Sequence, residues 1–350
     1  MIAGFLYSLF HFAPVGSDYL VTILIKALLI LIVLMTAAAY LTYAERKVAA
    51  RIQLRIGPNR VGPFGLLQPA ADGLKMLFKE NVAPSGRDKV LYLIAPSIAA
   101  AAAFLAFSAI PINGVTTQDG YQLHWGIAHL NVGLLFILGI TSLGVYSIFL
   151  GGWSANSKYS LLGALRSSAQ LISYEMAVSF ALIGVVILAG SLDLEKIVLA
   201  QRHAWFVLLQ PMAFILYFIG ALAETNRLPF DMAEAETELV GGYHTEYSGM
   251  KFGLYFLGEY VNMITVCSIA TVMFLGGWLP IFPLPHLLAV ITGPIWFFGK
   301  VITLLLVMMW IRWTLPRLRY DRLMNLSWKV LLPLGLVNLL VTGAIVGLRA

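Results

Sequence analysis

Long apolar runs dominate this chain of 350 residues. Eight segments of about 18 or more mostly apolar residues could cross a bilayer, because a spanning helix needs about 20 residues. Only 11% of the residues are charged, against about 25% in soluble domains. The expected fold is therefore an all-α polytopic membrane protein, with residues 1–350 forming one integral membrane domain. We predict spans at residues 20–43, 91–111, 130–151, 169–190, 205–223, 252–275, 288–311 and 329–348.

The distribution of basic residues sets the orientation of these spans, because lysine and arginine beside a spanning helix stay in the cytoplasm. Of the 23 lysines and arginines, 18 lie in the loops after the first, third, fifth and seventh spans, and 3 lie on the opposite side. Both termini are thus expected to face outward. The same bias accounts for the net charge of +6, so we expect no nucleic-acid partner.

Residues that could hold a cofactor are sparse. Cys267 is the single cysteine, and the six histidines show no metal-ligand spacing. No glycine-rich phosphate loop is present in the sequence. We therefore expect this chain to bind no metal and no cofactor, even if it serves redox chemistry.

Residues 66–79 in the first cytoplasmic loop predict an amphipathic helix, with apolar residues on one face and polar residues on the other. Such a helix lies in the membrane interface, against lipid. A surface anchor and a functional lid are both compatible with this pattern.

Four charged residues fall well within the predicted spans, and one of them, Lys26, is close enough to the outer end of span 20–43 to snorkel. A charge at mid-membrane costs about 2.5–3.5 kcal/mol, so it faces the bundle interior or a wet cavity. Glu259 lies inside span 252–275, Lys300 lies near the middle of span 288–311, and Glu175 is expected near the cytoplasmic start of span 169–190. We expect Glu259 and Lys300 to serve transport or proton transfer, although an ion pair that locks helices together is the alternative. For Glu175 the two roles are weighed equally.

The loop after span 205–223 is strongly acidic. Apolar residues such as Phe230 and Met232 alternate with its acidic residues, which indicates partial burial. Partial burial raises carboxylate pKa values and makes proton exchange feasible near neutral pH, whereas a solvated loop would be the ordinary explanation. The acidic residues are Glu224, Asp231, Glu234, Glu236, Glu238 and Glu246.

Five segments resemble a known family. The chain is similar to the quinone-chamber membrane subunit, designated H, of respiratory complex I, the bacterial NADH–quinone oxidoreductase. The segments occur in family order and cover all four cytoplasmic loops. They are AERK (44–47), RIGPNRVGPFGLLQPAADGLKMLFKE (55–80), YSLLGALRSSAQLISYE (159–175), AETNRLPFDMAEAETELVGGYHTEYSGMKFGLYFLGEY (223–260) and WIRWTLPRLRYDRLMNLSWK (310–329).

The resemblance implies a subunit of a proton-pumping NADH:quinone oxidoreductase in the bacterial inner (plasma) membrane. It implies that quinone is the substrate, while NADH, FMN and iron–sulfur clusters are bound by partner subunits. The implied partners are the peripheral-arm subunits of the quinone site on the cytoplasmic loops, small and antiporter-like membrane subunits, and lipid.

The resemblance also implies roles for individual residues. A cationic rim can stabilise a quinone that gains negative charge, and neighbouring carboxylates can hold and pass protons. The family's tunnel-lining positions correspond to Glu45, Arg46, Arg55, Arg312 and Arg317. Its acidic relay corresponds to Glu175, Glu224, Asp231, Glu234, Glu236, Glu238, Glu246 and Glu259, with Tyr247 and Tyr260 beside it. We add Lys300 to the relay because of its position within a span.

Two other functions are compatible with parts of the sequence. The homologous membrane anchor of an energy-converting hydrogenase or formate hydrogenlyase would share the segments but handle no quinone. A stand-alone secondary transporter is less favoured, because neither an inverted repeat nor a pair of matching broken helices is visible in the sequence.

Overall fold

The chain forms a bundle of long helices. The computed structural model describes residues 17–116, 122–125, 130–232, 241–282 and 286–348. In chain order, the helices are α1 (Ser17–Ile52), α2 (Gln68–Phe78), α3 (Lys89–Ser108), α4 (Gly133–Ser154), α5 (Lys158–Ala189), α6 (Leu194–Ala200), α7 (Phe206–Leu209), α8 (Pro211–Glu224), α9 (Gly249–Phe274), α10 (His286–Thr314), α11 (Tyr320–Leu326) and α12 (Leu332–Gly347). A π-helical turn at Ser327–Leu331 joins α11 to α12.

The described residues contain seven helical segments that are long and apolar enough to cross a membrane, which confirms the all-α polytopic class. Each corresponds to one of the predicted spans, with α11 and α12 together forming the last. The remaining predicted span, 205–223, corresponds to α7 and the shorter α8. Gln210 separates these two helices, because the residue before a proline is driven away from helical geometry.

Several helices extend beyond their predicted spans. α1 continues to Ile52, and α5 begins at Lys158. The added segments contain Ala, Leu, Arg, Glu and Lys, which favour helix whether or not they are apolar. One expectation is therefore wrong: Glu175 is not near the cytoplasmic start of its helix but lies about 25 Å along α5, at 1.5 Å per residue.

A small β-hairpin lies in the outward loop between α3 and α4. β1 (Asn113–Thr116) pairs antiparallel with β2 (Gln122–Trp125), so that Gly114 lies opposite His124. A Cβ atom at Gly114 would lie only 2.8 Å from the Trp278 ring. Glycine therefore allows the loop after α9 to pack closely on this strand.

The predicted amphipathic helix is present as α2. Leu74, Leu77 and Phe78 are exposed on it, and none of its residues is fully buried. α2 packs against α1 and α9. Its apolar face is therefore available to lipid or to another subunit.

α9 is the central helix of the bundle, since it is the most buried of the seven long spans. The main core packs around it from α1, α3, α5, α8 and α10. A second, smaller core lies around Tyr92, Tyr247 and Tyr255. The polar residues of the candidate site lie between these two cores.

Candidate functional site

A buried carboxylate joins three helices at the cytoplasmic end of α1. Glu45 is only 3% exposed. Its carboxylate accepts a 2.6 Å hydrogen bond from the Tyr260 hydroxyl of α9 and a hydrogen bond from Arg312 of α10. The Nη1 atom of Arg227 lies 3.7 Å from the same carboxylate. We call these four residues the Glu45 junction.

Arg227 reaches this junction from the turn that follows α8. The preceding residue, Asn226, has a φ of 50°, a left-handed conformation that asparagine tolerates better than most residues. The turn directs Arg227 inward, where it is 3% exposed and its guanidinium lies 4.5 Å from the centre of the Tyr260 ring. Arg227 thus reaches a buried position from a loop.

Arg227 stays protonated in its buried position. Burial alone lowers the pKa of Arg227, but Tyr260 and the carboxylates of Glu45 and Glu259 raise it above its ordinary value. Its Nε and Nη2 atoms donate no hydrogen bond to any residue that the structure describes. The guanidinium is therefore a buried cation with three N–H groups, one on Nε and two on Nη2, that have no acceptor in the described part of the chain.

A cavity with both apolar and polar lining lies beside this junction, between α3, α4, α5 and α9. Its volume of about 80 Å³ is sufficient for several water molecules. Tyr243 donates a 3.3 Å hydrogen bond to Glu259 at its edge. We call this space the carboxylate cavity; its polar lining consists chiefly of Thr141, Ser147, Glu224, Thr225, Asn226, Tyr243, Tyr255, Glu259 and Asn262.

Glu175 belongs to the same region. Its carboxylate accepts a hydrogen bond from the Ser142 hydroxyl of α4. Glu175 is also close enough to Glu224 for the two carboxylates to repel each other. Glu224 and Glu259 thus line the carboxylate cavity, and Glu175 lies close to Glu224.

The other predicted tunnel residues make contacts elsewhere. Arg46 of α1 forms a 2.7 Å ion pair with Asp72 of α2 and is half-exposed. Arg55 is exposed and donates to the Gln53 side chain. The Nη2 atom of Arg317 lies 3.8 Å from the sulfur of Met232. Of the five predicted tunnel residues, Glu45 and Arg312 contact each other directly.

The acidic loop is described only at its two ends. Asp231 is 8% exposed in the segment that follows α8. Glu246 is half-buried, and its backbone carbonyl accepts a hydrogen bond from the Tyr92 hydroxyl. Glu234, Glu236 and Glu238 lie outside the described residues, so their predicted relay role stays a prediction.

Lys300 lies apart from this site. Its ammonium group donates to the backbone carbonyls of Leu275, Gly277 and Leu279 at 2.7, 3.0 and 2.7 Å, and it lies 4.6 Å from the Trp205 ring. All three of its donors are therefore used. A cation at this position also complements the C-terminal end of α9. These contacts indicate that Lys300 caps the end of α9. None of them supports its predicted role in the proton relay.

Sequence reasoning missed several residues of the site. Arg227 was not singled out, because a single arginine in an acidic loop carries no sequence signal of burial. Ser142 and Tyr243 were not singled out, because a hydroxyl shows no sign of its partner until the helices and loops are packed.

Comparison with known proteins identifies the family. The model of a family described as NADH dehydrogenase matches residues 25–343. The chain belongs to the NADH dehydrogenase family. The NADH–quinone oxidoreductase subunit designated H 1 in Geobacter sulfurreducens is 51% identical over 344 residues, covering 95% of this chain and 97% of the relative.

Two further members of the NADH dehydrogenase family show the same agreement. The corresponding H 1 subunit of Geobacter metallireducens is 52% identical, covering 96% of this chain and 99% of its own length. The corresponding H subunit of Granulibacter bethesdensis is 50% identical, covering 93% and 92%. The resemblance inferred from the five sequence segments is thereby confirmed, and with the apolar helices it supports a multi-pass protein of the bacterial inner membrane.

Proposed function

We propose that this chain acts as the H-type membrane subunit of a NADH–quinone oxidoreductase, where it forms the membrane part of the quinone tunnel and the start of the proton relay. Three relatives that each cover more than nine-tenths of the chain carry that subunit name. This agreement favours the quinone enzyme over a hydrogenase anchor.

The proposal divides the redox chemistry between subunits. Within the described residues, no group of three or more His, Cys, Asp or Glu side chains is arranged to hold a metal ion. In this proposal, electrons reach the quinone from the NADH, FMN and iron–sulfur centres of partner subunits. Peripheral-arm subunits would dock on the cytoplasmic side, where Leu54, Ile56 and Phe64 are exposed at 96%, 84% and 78%. Small and antiporter-like subunits would pack along the bundle.

The position of Arg227 is the observation that carries the coupling proposal. Arg227 interacts electrostatically with two carboxylates. One is Glu45, a predicted tunnel residue, and the other is Glu259, which lines the carboxylate cavity. Charge at close range is strongly felt in a low-dielectric interior. Negative charge arriving on a quinone beside the junction would attract Arg227, and its hold on Glu259 would weaken.

When Arg227 stabilises the charged form of Glu259 less, that carboxylate binds a proton more readily. The proton would come from cavity water and pass among Glu259, Glu224 and Glu175. A proton transferred in this way follows the charge on the quinone, so electron transfer and proton movement become linked through one side chain.

The direct test uses the assembled complex with Glu259→Gln, which preserves shape but removes titration. We expect proton pumping and quinone reduction to fall together, because a coupled enzyme cannot turn over without its proton step, and Glu259→Asp should restore part of both. Electron transfer from NADH to a water-soluble acceptor should persist as evidence of assembly. The exposed Glu80 provides a matched control as Glu80→Gln.

Two results would overturn the proposal. An assembled Glu259→Gln complex with wild-type turnover and proton-to-electron ratio would remove Glu259 from the relay. A purified intact complex that does not reduce quinone with NADH would remove the quinone function itself.

A further inference from the structure

A group of four tyrosines extends from the cytoplasmic ends of the helices to the carboxylate cavity. The rings of Tyr92 and Tyr247 are stacked, with centroids 4.2 Å apart. Tyr255 packs edge-on against Tyr247 at 5.1 Å and against Tyr243 at 5.1 Å. We call these residues the tyrosine stack; it connects α3, α9 and the loop before α9.

The hydroxyl groups within this stack form a line of their own. The Tyr247 hydroxyl lies 3.1 Å from the hydroxyl of Ser154, at the end of α4, and either can be the donor. Burial raises the pKa of Tyr247, while hydrogen bonds to Ser154 and Tyr255 oppose that increase. The Tyr255 hydroxyl in turn donates to the Ser147 carbonyl at 3.2 Å.

Gly151 provides the space in which the two phenol groups meet. A Cβ atom built at Gly151 would lie 2.3 Å from the Tyr255 hydroxyl oxygen and 3.7 Å from that of Tyr247. Any side chain at this position would displace the Tyr255 hydroxyl. Glycine is therefore required for the two hydroxyls to approach each other here.

The line has a source and a destination for protons. At its inner end, Tyr255 lines the carboxylate cavity together with Ser147 and Glu259. At its outer end, Ser154 is buried, but Asn156, two residues later, is exposed. The hydroxyl line thus ends two residues from an exposed side chain, on the side that the basic residues assign to the cytoplasm.

We propose that Ser154, Tyr247 and Tyr255 form a hydroxyl chain that carries protons from the cytoplasm to Glu259 by a route separate from the quinone tunnel. This inference rests on the relay role proposed for Glu259. For transfer, each hydroxyl first turns away from the backbone carbonyl to which it can donate, which is Gly151 for Ser154 and Tyr247 and Ser147 for Tyr255. Each hydroxyl then accepts a proton from one neighbour as it gives its own to the next, so one proton moves and no phenolate is formed. Water in the cavity completes the step to the carboxylate, and rotation of the hydroxyl groups resets the chain.

Two variants test the chain in the assembled complex. Tyr255→Phe keeps the ring and removes the hydroxyl, whereas Gly151→Ala keeps both phenols and displaces one. In each we expect quinone-dependent turnover to fall roughly tenfold, less than the full contribution of a positioned proton-transfer group because protons can still arrive from the tunnel. The solvent deuterium isotope effect on turnover should rise, since proton delivery becomes slower, and a purely structural role would not produce this change.

Matched controls separate the hydroxyl line from general packing. Gly139→Ala lies on the same helix, where an added Cβ would meet no described atom within 4 Å. Tyr92→Phe removes a hydroxyl of the same stack that donates to the Glu246 carbonyl. Both should retain wild-type turnover and isotope effect, and all variants should transfer electrons from NADH to a water-soluble acceptor.

The outcomes distinguish this inference from the proposed function. If Tyr255→Phe behaves as wild type while Glu259→Gln is impaired, the hydroxyl chain is wrong and the relay stands. If Glu259→Gln also behaves as wild type, the relay and the chain that leads to it are both wrong. A failure of Gly151→Ala to assemble leaves Tyr255→Phe to decide.

Discussion

The hydroxyl of Tyr260 donates a 2.6 Å hydrogen bond to the carboxylate of Glu45 and so joins α9 to α1. Glu45 would otherwise depend on cations alone, in a site that is almost closed to water. A hydrogen bond to a buried charge is stronger than one between neutral groups. This contact therefore fixes the carboxylate between the two arginines.

Replacing Tyr260 by Phe should destabilise the assembled complex and slow quinone reduction. A hydrogen bond to a charged group contributes about 1.5–3 kcal/mol, and its loss lets the carboxylate move. Thermal unfolding and NADH:quinone turnover measure the two effects. Tyr146→Phe, at an exposed tyrosine of α4, should change neither. Equal behaviour of the two variants would show that the Tyr260 hydroxyl contributes little.

The charges of Arg227 and Glu45 should behave as a coupled pair. Removing one partner of a buried ion pair costs about 3–5 kcal/mol, because the other charge stays buried and uncompensated. We expect Arg227→Gln and Glu45→Gln each to destabilise the complex strongly, and the double variant to lose less than the sum. Thermal unfolding of the four forms gives this coupling energy, and additive losses would contradict direct coupling.

Variants of Arg46 and Asp72 can distinguish two roles of their ion pair: supplying a cation to the quinone tunnel and holding α2 against α1. Their half-exposed ion pair contributes about 0.2–1 kcal/mol at most, so neither variant should harm assembly. Arg46→Ala should raise the apparent KM for quinone, because it removes a cation from the predicted tunnel rim. Asp72→Asn breaks the same contact with α2 but keeps the arginine. A similar KM increase in both variants would assign the effect to the position of α2.

Substituting Lys300 by Met should lower the thermal stability of the complex while the surviving enzyme keeps its proton-to-electron ratio. One buried and two partly buried carbonyls would lose their donor, and an unsatisfied buried group costs about 1–3 kcal/mol. Lys300→Arg should retain part of that stability. Normal stability with a lowered ratio would return Lys300 to the proton relay.

The sequence was sufficient for seven of the eight predicted crossings and for the amphipathic helix, because length, hydropathy and period are local properties. It was insufficient for helix ends such as Lys158, where polar helix formers continue an apolar helix. The depth of Glu175 was wrong for the same reason. The strand at Gly114 was missed because its packing depends on Trp278, far away in the chain.

Some residues of the site could be predicted from the sequence and others could not. Glu45, Arg312 and Glu259 were predicted from the resemblance or from their position in a span. The central place of Arg227 was not, since it follows from the turn at Asn226 and from the packing of α1 against α9. Gly151 could not be recognised either, because its role depends on two side chains from other parts of the chain.

The depth of Glu259 has a consequence for an energised membrane. Glu259 lies about 15 Å along α9 from its cytoplasmic end, at 1.5 Å per residue, which is about half of the hydrocarbon thickness. A proton that reaches it from the cytoplasm crosses that share of the transmembrane voltage. At about 2.3 kcal/mol per charge for a full crossing at 100 mV, the opposing work is roughly 1 kcal/mol. Loading of this carboxylate should therefore become harder as the voltage builds, so the respiratory rate would respond to the membrane potential at this residue.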